Sequence, residues 1–158
     1  MKVLVKTISL LMIAVIAFGM IGCSKPDVTD VNELQRNEGD MLLITGYPQE
    51  AMPAEMYEKA ITRWRLTYKG IAYNPNPVNV QGVKMSDEDY LQIYNFCKDA
   101  IAKNKFAKYS EDDICDGTTY EFVFYDTKGN KYLIYDGYCY ANEDLREIKK
   151  LFSKYQLE

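Results

Sequence analysis

The chain has 158 residues, room for one domain, with 14 tyrosines, no histidine and a net charge of −4. Histidine is the usual general base near neutral pH and the commonest metal ligand, so its absence excludes Ser-His-Asp and Cys-His machinery, His-ligated zinc and facial-triad iron within this chain. The acidic balance argues against a nucleic-acid partner, which would need a basic footprint.

Met1 to Thr7 carries Lys2 and Lys6, and Ile8 to Ile21 follows without a charge before Gly22-Cys23. A permanent span needs roughly 20 apolar residues, so this run has the length of a signal-peptide core. The segment Met20-Ile21-Gly22-Cys23 resembles the lipobox of bacterial lipoproteins, with small Gly22 before the cysteine; Met20 departs from the Leu that family prefers there. The resemblance implies that Cys23 is lipidated, that residues 1–22 are removed, and that the domain is held by fatty acid such as palmitate on the extracytoplasmic face of a membrane. Ser24 after the cysteine would permit outer-membrane sorting in a host that has one. The alternative is an uncleaved signal anchor with an incidental cysteine, for which the apolar run is short. Losing Lys2 and Lys6 takes the net charge from −4 to −6. That disfavours attraction to anionic lipid and leaves the anchoring to acyl chains, two of which give stable attachment where one is marginal.

Ser24 to Asp40 reads SKPDVTDVNELQRNEGD, polar and without apolar periodicity. Such a stretch buries too little surface to offset ordering entropy and is expected to be a flexible tether, with an end-to-end distance on the order of 20–25 Å. From Met41 onward a single α+β domain is expected. Met41-Leu42-Leu43-Ile44-Thr45 predicts a strand ended by Gly46-Tyr47-Pro48. Ala60, Thr62, Trp64, Leu66 and Tyr68 alternate with polar residues, which predicts a strand from about Ile61 after a helical turn. Gly70 turns the chain, Ile71-Ala72-Tyr73 returns, and Pro75 and Pro77 keep that stretch at an edge or in a loop.

Ser86 caps a predicted helix with Asp87, Glu88 and Asp89 at its positive end and a stripe of Tyr90, Ile93, Tyr94, Cys97 and Ile101. Tyr120 to Tyr125 and Lys131 to Tyr135 flank a turn containing Gly129 and Asn130, both expected at positive φ. Apolar residues on both faces of this hairpin place it in the sheet interior. Asn142 caps a last helix with Leu145, Ile148, Leu151, Phe152 and Tyr155 inward and Arg146, Lys149 and Lys150 opposite. The expected architecture is an antiparallel sheet of about four to five strands with two helices on one face. From Ile61 to Phe152 this order resembles small uncharacterised lipoprotein domains of bacteria, a likeness that implies a fold and a compartment but no activity.

With Cys23 lipidated, Cys97, Cys115 and Cys139 remain. Cys115 and Cys139 bracket the hairpin and are candidates for a disulfide in an oxidising compartment, with Cys97 as a buried thiol or a competing partner. No C-x-x-C exists for redox chemistry. Glu111 to Gly117 is acidic, yet counting a calcium loop from Asp112 puts Ile114 and Val123 where oxygen ligands belong, so a solvated acidic loop is the simpler reading. Asp116 and Asp136 could pair as glycosidase carboxylates, although turn roles explain both. Trp64, Tyr68, Tyr73, Tyr138 and Tyr140 are candidates for an aromatic surface that binds glycan or peptide; the competing reading is that strands favour aromatics. The expected role is a lipid-anchored binding domain for a protein or cell-wall partner, with no cofactor or metal. The alternatives are a carboxylate-based enzyme acting on glycan and a structural envelope component.

Overall fold

Residues 30–75, 81–114 and 116–155 are described by a computed structural model of the chain. The sheet grows outward from β1, Asp40–Pro48. It pairs antiparallel on one side with β2, Thr62–Thr67, and on the other with β5, Thr118–Tyr125. Strands β3, Ile71–Tyr73, and β4, Val83–Lys84, extend the β2 side, and β6, Lys131–Gly137, closes the other, in the order β4-β3-β2-β1-β5-β6. The helices among the described residues are α1, Val31–Leu34; α2, Ala54–Ala60; α3, Asp87–Ala102; and α4, Glu143–Ser153. The class is α+β as expected, and the strand beyond the expected four or five is the two-residue β4.

Directly opposed residues in an antiparallel pair share a face, so the register sorts the side chains. One face carries the rows Ala72–Leu66–Leu42–Phe124, Trp64–Ile44–Phe122–Tyr135 and Thr62–Gly46–Tyr120–Gly137. The buried cluster joins this face to Tyr90, Ile93 and Cys97 of α3 and to Leu145, Ile148, Leu151 and Phe152 of α4, so both long helices cover it. Their caps are those the sequence predicts. Ser86 Oγ accepts from Asp89 N at 3.2 Å, and Asn142 Oδ1 accepts from Leu145 N at 3.1 Å. The other face carries Tyr73–Arg65–Leu43–Val123–Leu133 and Arg63–Thr45–Glu121–Asp136.

Three local expectations need correction. The hairpin is not wholly interior: β5 is, but β6 is an edge strand on which Leu133 is 58 % exposed. The pairing between the two skips a residue, which turns Ile134 into the core while Leu133 stays outside. In the turn, Gly129 has φ +81° but Asn130 does not have positive φ. Asn130 instead donates through N and Nδ2 to the Asp126 carboxylate, which also accepts from Lys128 N. The stretch read as tether contains α1, capped by Asp30, with Leu34 buried against the core. Leu34, with Val31 packed against the core beside it, and a cap order a segment whose average composition is polar. Ser24 to Thr29 lie outside the described residues.

Gly46 shows why one glycine sits in the central strand. A Cβ there would lie 2.5 Å from Thr62 Oγ1, 3.0 Å from Tyr120 Cε1 and 3.1 Å from Thr118 Cγ2. Gly46→Ala is therefore expected to destabilise the domain by about 1–3 kcal/mol, as overpacking does. Urea unfolding of the two proteins checks this, and equal midpoints would show that the neighbouring side chains yield freely.

Candidate functional site

The side-chain clusters of interest gather at the end of the sheet where β1 leaves and β5 enters. Gly46 lies between Thr62 and Tyr120 in one row, and Tyr120 faces Gly137 on its other side. Between two residues without side chains, the Tyr120 ring lies over Gly46 and meets Trp64, with centroids 6.1 Å apart and planes at 47°. Lys149 of α4 closes over the pair, its Nζ 3.3 Å from the Tyr120 ring centroid and 5.9 Å from that of Trp64. All three residues are half-buried. An ammonium over a ring face is attracted by the ring quadrupole, so this contact also ties α4 to the sheet.

Beside it, Tyr138 and Tyr140 stack at 6.0 Å and 30°. Tyr140 OH accepts from Thr118 N at 2.9 Å, and Tyr135 OH donates to Tyr138 O, so both ends of the hairpin are fastened through hydroxyls. A cleft of about 350 Å³ runs alongside, lined by Ser110, Glu111, Asp112, Ile114, Tyr135, Asp136, Gly137 and Tyr138. A second of similar volume lies between α3 and α4, floored by Phe96 and Ile148 and bridged at its rim by Lys105 and Asp144 at 2.6 Å.

Glu111, read from sequence as part of a solvated acidic loop, is instead a clasp. One oxygen accepts from Tyr109 OH at 2.5 Å and from Ala141 N and Asn142 N at 3.0 and 3.4 Å; the other accepts from Tyr140 N at 2.9 Å. Burial alone would raise its carboxyl, but the donors from Tyr109 and residues 140–142 outweigh it and hold the group below the usual carboxylate range. The Tyr109 hydroxyl is pushed up to about 12, by burial first and then by this carboxylate.

The candidate aromatic surface is divided by the fold. Trp64, Tyr138 and Tyr140 lie at the site end, Tyr140 at 46 % exposure. Tyr68 is 1 % exposed, and its hydroxyl donates to Tyr125 O at 2.7 Å, so it cannot present a ring to a ligand. It follows β2 directly and turns inward beside Tyr90, whose hydroxyl donates to Tyr68 O. Tyr73 lies on the opposite sheet face beneath the Arg65 guanidinium, 4.1 Å from its ring centroid.

The proposed carboxylates are also sorted. Asp116 accepts from the N–H of Gly117 at 2.7 Å, a turn role, and Asp136 stands opposite Glu121 on the face away from the helices. Cys139 is buried, and burial pushes its thiol up against the opposing effect of Lys149. Cys97 is a buried thiol on α3, as expected. Cys115 and Cys23 lie outside the described residues, and with them the disulfide and lipidation readings. Among the described residues no helix is long and apolar enough to cross a membrane, and no group of three His, Cys, Asp or Glu could hold a metal ion.

Two site residues escaped sequence reasoning. Lys149 was placed on the solvent face, although it sits four residues after Leu145 and three before Phe152, a spacing that puts it at the margin of the apolar stripe. The sequence marks Tyr120 only as the start of a hairpin strand, and nothing local signals its two glycine neighbours. Comparison with family models, with curated proteins and with solved structures gives no match for this chain.

The clasp predicts a pH signature. A carboxyl whose folded pKa is depressed contributes stability that is present above its unfolded value, about 4.3, and is lost as pH falls through the folded value. Glu111→Gln should cost about 1–2 kcal/mol near neutral pH, since the group is partly screened by solvent. The gap from wild type should narrow as acid protonates Glu111. Urea unfolding near pH 7 and near pH 3 tests this, and an unchanged gap would show that the charge is irrelevant.

Proposed function

We propose that the protein is a lipid-anchored extracytoplasmic domain that binds a protein or cell-wall partner. The observation that carries the reading is Met20-Ile21-Gly22-Cys23 behind a short charged and then apolar leader. Lipid on Cys23 would confine the domain to the membrane surface, and two acyl chains make that attachment stable. The residues between Cys23 and α1 would join the anchor to the domain and let it meet partners in the envelope.

Binding is favoured over chemistry by how the polar groups are used. The hydroxyls of Tyr68, Tyr109, Tyr135 and Tyr155 and the carboxylates of Glu111, Asp89 and Asp126 are each engaged in holding a turn, strand or helix end. What faces solvent at the site end is the ring of Tyr140 together with the exposed carboxylates of Asp112, Asp116 and Asp136, chemistry suited to contact with a glycan or peptide.

Growth of the host with labelled palmitate tests the anchor. Label should enter the protein, and membrane fractionation should find it in the pellet. Cys23→Ala should abolish labelling and leave the precursor unprocessed. Unlabelled wild-type protein, or a variant that is processed and retained as before, would remove the basis of the reading.

A further inference from the structure

We infer that Trp64 and Tyr120 form a seat for a quaternary ammonium group, which Lys149 occupies while the seat is empty of ligand. The two rings meet with centroids 6.1 Å apart and planes at 47°, and one cation lies against both, 3.3 Å from the Tyr120 centroid and 5.9 Å from that of Trp64. The resident group shows what charge the seat selects.

Its surroundings show which kind of cation fits best. Among the described residues Lys149 Nζ has no carboxylate within ion-pair distance, unlike Lys103, Lys105, Lys150 and Lys154, which pair with Asp99, Asp144, Glu147 and Asp89. Nζ thus lies against ring faces, with no carboxylate to match its N–H donors. A primary ammonium is strongly hydrated and must leave part of that hydration to lie against a ring. A methylated ammonium has no N–H to satisfy and gains the same ring attraction, which favours it in this place.

Displacing the occupant is a small movement. Lys149 is half-buried on the flank of α4, and its four-carbon stem can swing to water while Leu145, Ile148 and Phe152 keep the helix docked. A choline-type headgroup and a trimethylated lysine carry the same chemistry. This inference concerns the folded domain alone and does not depend on lipid at Cys23.

Trp64 is the chain's one tryptophan, so its fluorescence reports on this place alone. Titrating the purified full-length protein with tetramethylammonium should change its emission saturably. Lys149→Ala, which empties the seat, should tighten binding about tenfold, the scale of a partly desolvated ring–cation contact. Tyr120→Leu in the Lys149→Ala background should abolish the response, and the neutral isostere 3,3-dimethylbutanol should not reproduce it. Phosphocholine and Nα-acetyl-trimethyl-lysine amide, compared in the same assay, assign the source. Far-UV circular dichroism confirms that each variant folds, with Lys149→Gln in reserve should the alanine variant not. No saturable change in wild type or in the Lys149 variant would overturn the inference. So would an affinity indifferent to Lys149, or an equal response to the neutral isostere.

Discussion

The contact on which this domain depends lies between the aromatic middle of the sheet and the inward stripes of α3 and α4. Phe122 and Phe124 of β5 stand beside Ile44 and Leu42 of β1, and Phe152, Leu145, Ile93 and Tyr90 press on them from the helices. Each such side chain, fully buried, contributes about 1.5–3 kcal/mol relative to exposure, and only a strand paired on both edges can present them in continuous rows. Because both helices use the same sheet face, the polar residues of β2, Arg63 and Arg65, are left to the other one, where Arg65 finds Asp40 at 3.5 Å and the ring of Tyr73.

The tyrosines then divide according to where their hydroxyls can be satisfied. A buried phenol needs a partner, and Tyr68 and Tyr90 find theirs in the backbone oxygens of Tyr125 and Tyr68. Tyr155 donates to Asp89 at 2.6 Å, a bond that, with Lys154, holds that carboxyl below its usual range and fastens the end of α4 to the start of α3. Glu111 does the same for the start of α4. Tyrosine thus supplies the core with rings whose polar tips are satisfied, at Tyr68, Tyr90 and Tyr135, while the rings at the hairpin end stay nearer the surface.

Much of this was legible from the chain. Ser86 and Asn142 marked their helices because a capping side chain is a local device, read within three residues. Hydrophobic spacing marked the inward faces of α3 and α4 for the same reason. Tyr68 was misplaced because alternation along a strand says which residues share a face, not which face is covered beyond the strand's end. Leu34 was missed because its burial depends on a core that is distant in sequence. The site end was the least legible part. Its rings meet only because four strands align Thr62, Gly46, Tyr120 and Gly137, and its cation arrives from a helix more than twenty residues further on.

If the covered face of the sheet organises the rest, local stability must fall away from β1. Native-state hydrogen exchange, read residue by residue, measures this directly. The amides of β1 between Leu42 and Thr45 and of β5 between Phe122 and Phe124 should exchange only when the whole domain unfolds. Those of the two-residue edge strand β4 and of α1 should exchange through local opening. Exchange from the middle of β1 as fast as from β4 would contradict the account, since the strand bonded on both sides would then not be the centre on which the helices, the clasp and the aromatic end depend.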